Sequence, residues 1–143
     1  LDGENTLTRN PYTKVFEHLA MAHFKAVNAN VVALIDRLRK LDYRVGLLSN
    51  NTLEAAAKMR QEGLDKHFDA FLISAEIGFQ KPEPEAFNSL IQKLNVAPSE
   101  LIFIDDTKHC LSLAGAIGFY PILFKDYDTL LDQLIALGVL AKW

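Results

Sequence analysis

The sequence has 143 residues, half of which are hydrophobic, and a formal net charge of -3. This length and composition suit one domain with a single sizeable core. There is no basic stripe or Lys/Arg run, no signal-peptide pattern and no apolar run long enough to span a bilayer. We therefore predict no nucleic-acid or membrane partner and, because the one cysteine (Cys110) excludes an internal disulfide, a cytoplasmic location.

The N-terminal part of the chain precedes the alternating strand and helix segments that are described below. Residues 1–10 are polar and predict a loop, and because the sequence begins with Leu1 rather than Met we interpret it as a fragment, a processed product or a trimmed chain. Pro11 and apolar residues at near-helical spacing predict a helix over residues 12–28. Asn28 or Asn30 could cap a second helix that ends near Leu41.

From residue 44 onward, strand-like and helical segments alternate. Short apolar runs predict strands over residues 44–49, 70–74, 101–105 and 120–124. Helices are predicted over residues 52–62, 83–94, 108–117 and 127–137. The alternation indicates a parallel sheet with helices on both faces. Because ligands bind at the carboxyl ends of such strands, we expect the polar residues there to converge on one edge.

Asp105 and Asp106 end the most hydrophobic of these strands. Two adjacent carboxylates are costly there unless they are paired or bind a metal, and a hard cation such as Mg2+ favours carboxylate oxygens. Alternatively, Asp106 or Thr107 caps the helix that follows. The two roles can coexist.

Two other stretches carry groups suited to an anion. Lys81 lies in Gly-Phe-Gln-Lys-Pro-Glu-Pro, where it would be a point charge for phosphate or simply a solvated loop lysine. Ser49 closes its strand before Asn50, and a hydroxyl with backbone N–H groups entering a helix forms an anion cradle. The alternative for this second stretch is a helix cap by Asn51 or Thr52.

Taken in order, these stretches resemble the haloacid dehalogenase superfamily. The resemblance rests on Gly-Leu-Leu-Ser-Asn-Asn-Thr at residues 46–52, the Lys-Pro stretch at 78–87, Leu-Ile-Phe-Ile-Asp-Asp at 101–106 and Ala-Gly-Ala-Ile-Gly-Phe at 114–119. It covers roughly residue 31 to the C-terminus. It implies a three-layer αβα Rossmann-like core over residues 31–143, with residues 1–30 as a remnant of a helical cap domain or a linker helix.

The resemblance also implies a function, because most members are Mg2+-dependent phosphatases of small phosphorylated substrates. Ser49, Lys81 and Asp106 would be the catalytic residues, with Ser49, Asn50 and Lys81 around the phosphate. Asp106 would ligate Mg2+ and Asp105 would support it. Such groups act by stabilising charge in the transition state. The alternative is a non-catalytic relative or fragment that binds phosphate or a protein.

The sequence departs from the family at the nucleophile. The family's apolar strand ending in Asp-x-Asp-Gly-Thr is not found, and residues 1–7 resemble only its tail. In the family this strand lies at the centre of the sheet, between the strands that end in Ser49 and Asp105. We therefore predict a sheet that lacks its first strand, an inactive chain and weak Mg2+ binding. The gap would be completed by an N-terminal fragment, by a second chain or by closure of the strands.

Overall fold

The computed structural model describes residues 13–16 and 29–141, which contain one parallel sheet and the helices that pack on it. The strands are β1 (Thr13–Phe16), β2 (Val45–Ser49), β3 (Ala70–Ile73), β4 (Leu101–Asp105) and β5 (Tyr120–Leu123). The helices are α1 (Ala29–Lys40), α2 (Leu53–Gln61), α3 (Ser74–Ile77), α4 (Pro84–Leu94), α5 (Ala114–Ile117) and α6 (Tyr127–Ala136). Short 3-10 turns cover Leu64–His67, Pro98–Glu100 and Lys108–Leu111.

The sheet has the order β3-β2-β1-β4-β5, and every pairing is parallel. β1 occupies the centre, so the prediction of a gap between β2 and β4, to be closed by another fragment or chain, is wrong. The prediction of a helix is also wrong for Thr13–Phe16. Two facing strand edges need a partner, and a segment with β-branched Thr13 and Val15 supplies it. The predicted cap remnant otherwise falls largely on residues 1–12 and 17–28, outside the described residues.

Helices cover both faces of the sheet, as the alternating pattern predicted. Along β4, Ile102 and Ile104 join one hydrophobic cluster, whereas Leu101 and Phe103 join the other. The first cluster packs the sheet against α1 and α6, and the second packs it against α4. Because successive strand residues point to opposite faces, this division confirms the three-layer αβα architecture.

Local differences from the predicted elements have identifiable causes. The predicted helix over residues 108–117 is split, because Leu113 (φ -91°, ψ 7°) leaves the helical conformation between the 3-10 turn and α5. The predicted loop after β3 begins with the short helix α3, which Gly78 ends in the left-handed conformation at φ 85°. Within the described part, no helix is both long and apolar enough to cross a membrane.

Candidate active site

The carboxyl ends of β2 and β4 stand on either side of β1. In the sheet register, Gly46 and Phe103 both lie opposite Val15. Ser49 and Asp106 each follow three residues later, so they come level with one another, roughly 10 Å or two strand spacings apart. The two strand ends therefore flank a space at the edge of the sheet.

Lys81 reaches the end of β4 from the loop between α3 and α4. Its Nζ donates to Asp105 Oδ2 at 2.7 Å, and the two side chains are only 2% and 1% exposed. The ammonium also lies 5.5 Å from the centroid of the Phe103 ring, within the range of a cation–π contact. Lys81 is therefore a buried, paired cation rather than a solvated loop lysine.

Asp105 and Asp106 are adjacent in sequence but have different surroundings. Asp105 is buried, and its second oxygen, Oδ1, accepts from the Thr107 backbone N–H at 2.8 Å. Asp106 is exposed, and its Oδ1 accepts from Thr107 Oγ1 at 3.2 Å. Thr107 makes no side-chain cap bond to the turn that follows it. Asp105 thus supports Lys81, and Asp106 presents its carboxylate to solvent.

The end of β2 contributes Ser49 and Asn50. Ser49 is fully buried, and the cap of α2 is made by Thr52, whose Oγ1 accepts from Ala55 N at 3.0 Å. The carboxamide of Asn50 makes hydrogen bonds to both backbone polar groups of Lys81. Lys81 N–H donates to Asn50 Oδ1 at 2.8 Å, and Asn50 Nδ2 donates to Lys81 O at 3.0 Å. Hydrogen bonds therefore join Asn50, Lys81 and Asp105 directly, and Ser49 is the last residue of the strand that Asn50 follows.

The loops after β2 and β3 are tied together beside this site. Ser74 Oγ accepts from Asn51 N at 2.9 Å and donates to Asn51 O at 3.1 Å. Glu76 accepts two bonds from the Arg60 guanidinium, one of them at 2.8 Å. This hydrogen bonding lowers the pKa of Glu76 below its ordinary value and raises that of Arg60. Sequence reasoning missed the partners of these loop residues, since they lie 16 to 23 positions away.

One Asp-x-Asp pair does occur in the chain, at Asp126 and Asp128, but it follows β5 at the outside of the sheet. Asp126 caps α6, with Oδ1 accepting from Thr129 N at 2.7 Å. That hydrogen bond holds the pKa of Asp126 below its ordinary value. Asp126 therefore has a structural role at a helix end, and the pair does not lie at the central strand.

Comparisons with known proteins identify a family and several relatives to which this chain is similar. A family model described as haloacid dehalogenase-like hydrolase matches residues 2–116. The chain is 29% identical over 138 residues to mouse bifunctional epoxide hydrolase 2, covering 92% of this chain and 24% of that protein. It is 33% identical over 97 residues to a D-ribitol-5-phosphate phosphatase of Bacteroides thetaiotaomicron, covering 57% of this chain and 47% of the phosphatase.

A solved structure also resembles the fold. It is a HAD family enzyme from Bacteroides thetaiotaomicron in complex with magnesium and inorganic phosphate, with a TM-score of 0.60 and 27% identity. The match covers 71% of this chain and 56% of that one. The chain thus spans only part of the length of these relatives, about a quarter in the case of the mouse protein.

Proposed function

Because this chain belongs to the haloacid dehalogenase-like hydrolase family, we propose that the intact protein is a Mg2+-dependent phosphatase of small phosphomonoesters. In this proposal the chain provides the phosphate-binding part of the active site. The observation that carries it is Lys81, a buried ammonium held by Asp105 at the carboxyl edge of the sheet. A cation kept inside a protein is costly even when a carboxylate is paired with it, and binding an anion is a reason to keep it there.

Each site residue has a role in this proposal. The Ser49 hydroxyl donates a hydrogen bond to an oxygen of the phosphoryl group, and the Lys81 ammonium offsets the charge that develops on it. Asp105 holds Lys81 in place by its 2.7 Å contact. Charge stabilisation by preorganised groups is the main contribution that a protein makes to phosphoryl transfer.

Magnesium would be held by Asp106, the exposed carboxylate at the same edge. When bound, the ion would supply further positive charge at the phosphate oxygens. Among the described residues, no group of three or more His, Cys, Asp or Glu could hold a metal. A single exposed carboxylate fits weak binding, so we propose that this chain holds Mg2+ only weakly. The single cysteine of the sequence supports a cytoplasmic location as part of the same proposal.

We also propose that this chain does not turn over substrate. The central strand of the family ends in an aspartate nucleophile, whereas β1 is followed in sequence by Glu17, which lies outside the described residues. The same observation favours the second candidate, a non-catalytic relative that binds phosphate or a protein through this edge.

The test combines binding with turnover. Inorganic phosphate is titrated into the chain with Mg2+ by NMR or calorimetry, and hydrolysis of p-nitrophenyl phosphate is measured in parallel. We expect phosphate binding that Lys81→Met and Ser49→Ala both weaken, without hydrolysis. Hydrolysis that is lost in Lys81→Ala and Asp106→Ala would overturn the proposed inactivity, and Glu17→Gln would then test that carboxylate as the nucleophile. A chain that binds no phosphate would contradict the phosphate site itself.

A further inference from the structure

We propose that Asn50 is a positioning residue, which acts on phosphate through Lys81 rather than by contact with the phosphate. This inference rests on the phosphate site proposed above and assigns a different role to a residue that the sequence suggested as a direct phosphate ligand. Asn50 follows the end of β2, and Lys81 lies 31 positions later, in the loop before α4.

The geometry of the pair carries the proposal. Oδ1 of Asn50 accepts from Lys81 N–H at 2.8 Å, and Nδ2 donates to Lys81 O at 3.0 Å. Asn50 accepts one of these hydrogen bonds and donates the other, so it satisfies both backbone polar groups of one residue, as a neighbouring strand would. They therefore fix the backbone from which the ammonium reaches Asp105.

A loop backbone needs such support because it is not hydrogen-bonded to a strand of the described sheet. Lys81 lies between the end of α3 and the start of α4, where no strand of the described sheet pairs with it. Its side chain must nevertheless be placed well enough to meet Asp105 at 2.7 Å with almost no exposure. Asn50 attaches this loop to the rigid end of β2, which also carries Ser49.

The experiment measures Lys81 directly, with a readout that does not depend on phosphate. The rate at which an amine-reactive acetylating reagent modifies Lys81 is followed by mass spectrometry, with exposed Lys93 of α4 as the internal reference. Asn50→Ala is compared with Thr52→Ala, the matched control, which removes another side-chain hydrogen bond of the same loop. Affinity for inorganic phosphate is measured on the same three proteins.

We expect Asn50→Ala to raise the relative modification rate of Lys81 and to weaken phosphate binding, each by about tenfold, as the loss of two hydrogen bonds implies. Thr52→Ala should change neither. Weaker phosphate binding with an unchanged Lys81 rate would overturn the inference and make Asn50 a direct ligand; no change in either would also overturn it. If Asn50→Ala does not fold, Asn50→Ser provides the same comparison. If the unaltered chain binds no phosphate, the proposed function fails while the Lys81 rate still decides the role of Asn50.

Discussion

The ion pair of Lys81 and Asp105 shows how a single residue position links stability to function. Its two charged side chains are almost fully removed from water. Each charge therefore offsets part of the desolvation cost of burying the other. The pair is a costly way to stabilise a core, because apolar residues of similar volume would serve as well. Its position at the carboxyl edge, where parallel α/β sheets generally bind ligands, is consistent with the proposed phosphate site.

Replacing one partner should reveal this dependence. We expect Lys81→Met to lower the free energy of unfolding by about 3–5 kcal/mol, because the buried Asp105 carboxylate loses its partner. The double variant Lys81→Met/Asp105→Leu should recover most of that loss, since it removes both charges of the pair. Urea denaturation of the three proteins measures both effects. A double variant no more stable than Lys81→Met would show that the pair is not the cause.

A second residue pair makes a prediction about pH. Hydrogen bonding by Arg60 lowers the folded pKa of Glu76 below 4.5, its ordinary value. The stabilisation is therefore fully present above pH 4.5 and is lost as the pH falls through the lower folded pKa. Because both side chains are partly exposed, we expect Glu76→Gln to cost less than about 1 kcal/mol at neutral pH.

The measurement is the urea midpoint of Glu76→Gln and of the unaltered chain at pH 7 and at a series of pH values below 4.5, along which the difference should shrink. Asp132→Asn, at an exposed acid of α6, serves as the control. A Glu76→Gln difference that grows towards low pH would have the wrong sign for this mechanism.

At the scale of elements, α4 can pack closely on β2 because Gly46 has no Cβ. A Cβ at this position would lie 3.0 Å from Leu90 Cδ1 and 3.2 Å from Leu94 Cδ1, closer than ordinary contact. The helix that follows the Lys81 loop can therefore approach the strand that ends in Ser49. This close approach helps to keep the two halves of the candidate site together.

Two glycine substitutions test this packing. We expect Gly46→Ala to destabilise the chain by about 1–3 kcal/mol, the usual cost of overpacking a core. Gly115→Ala, where no described atom lies within 4 Å of an added Cβ, should stabilise it by about 0.5 kcal/mol. Thermal and urea unfolding give both values. Equal effects of the two substitutions would show that the approach of α4 is not limiting.

At the scale of the whole molecule, much of the fold could be predicted from the sequence, because its elements are encoded locally. The apolar run before Asp105 and the proline that opens α4 are local signals, and both elements begin and end near the predicted residues. The carboxyl-edge position of Ser49, Lys81 and Asp105 then follows from the parallel topology.

What could not be predicted depends on contacts between distant residues. Apolar residues near positions 15–26 have a helix-like spacing, and four residues of strand are too few for periodicity to reveal. The choice of β1 over helix at Thr13–Phe16 is made by β2 and β4, whose edges it pairs. The bonds of Asn50 to Lys81 are likewise invisible to any local pattern.

The central position of β1 also has a consequence for the order of folding. β2 pairs with β3 across 24 positions, β4 with β5 across 18 and β1 with β2 across 31, whereas β1 meets β4 across 88. Longer loops cost more entropy to close, and distant pairings slow folding. We therefore expect the pairing of β1 with β4 to form last and to join two preformed halves, β1–β2–β3 and β4–β5. In pulsed hydrogen exchange during refolding, the amides that bond β3 to β2 and β5 to β4 should become protected before those that bond β1 to β4, and simultaneous protection would contradict this order.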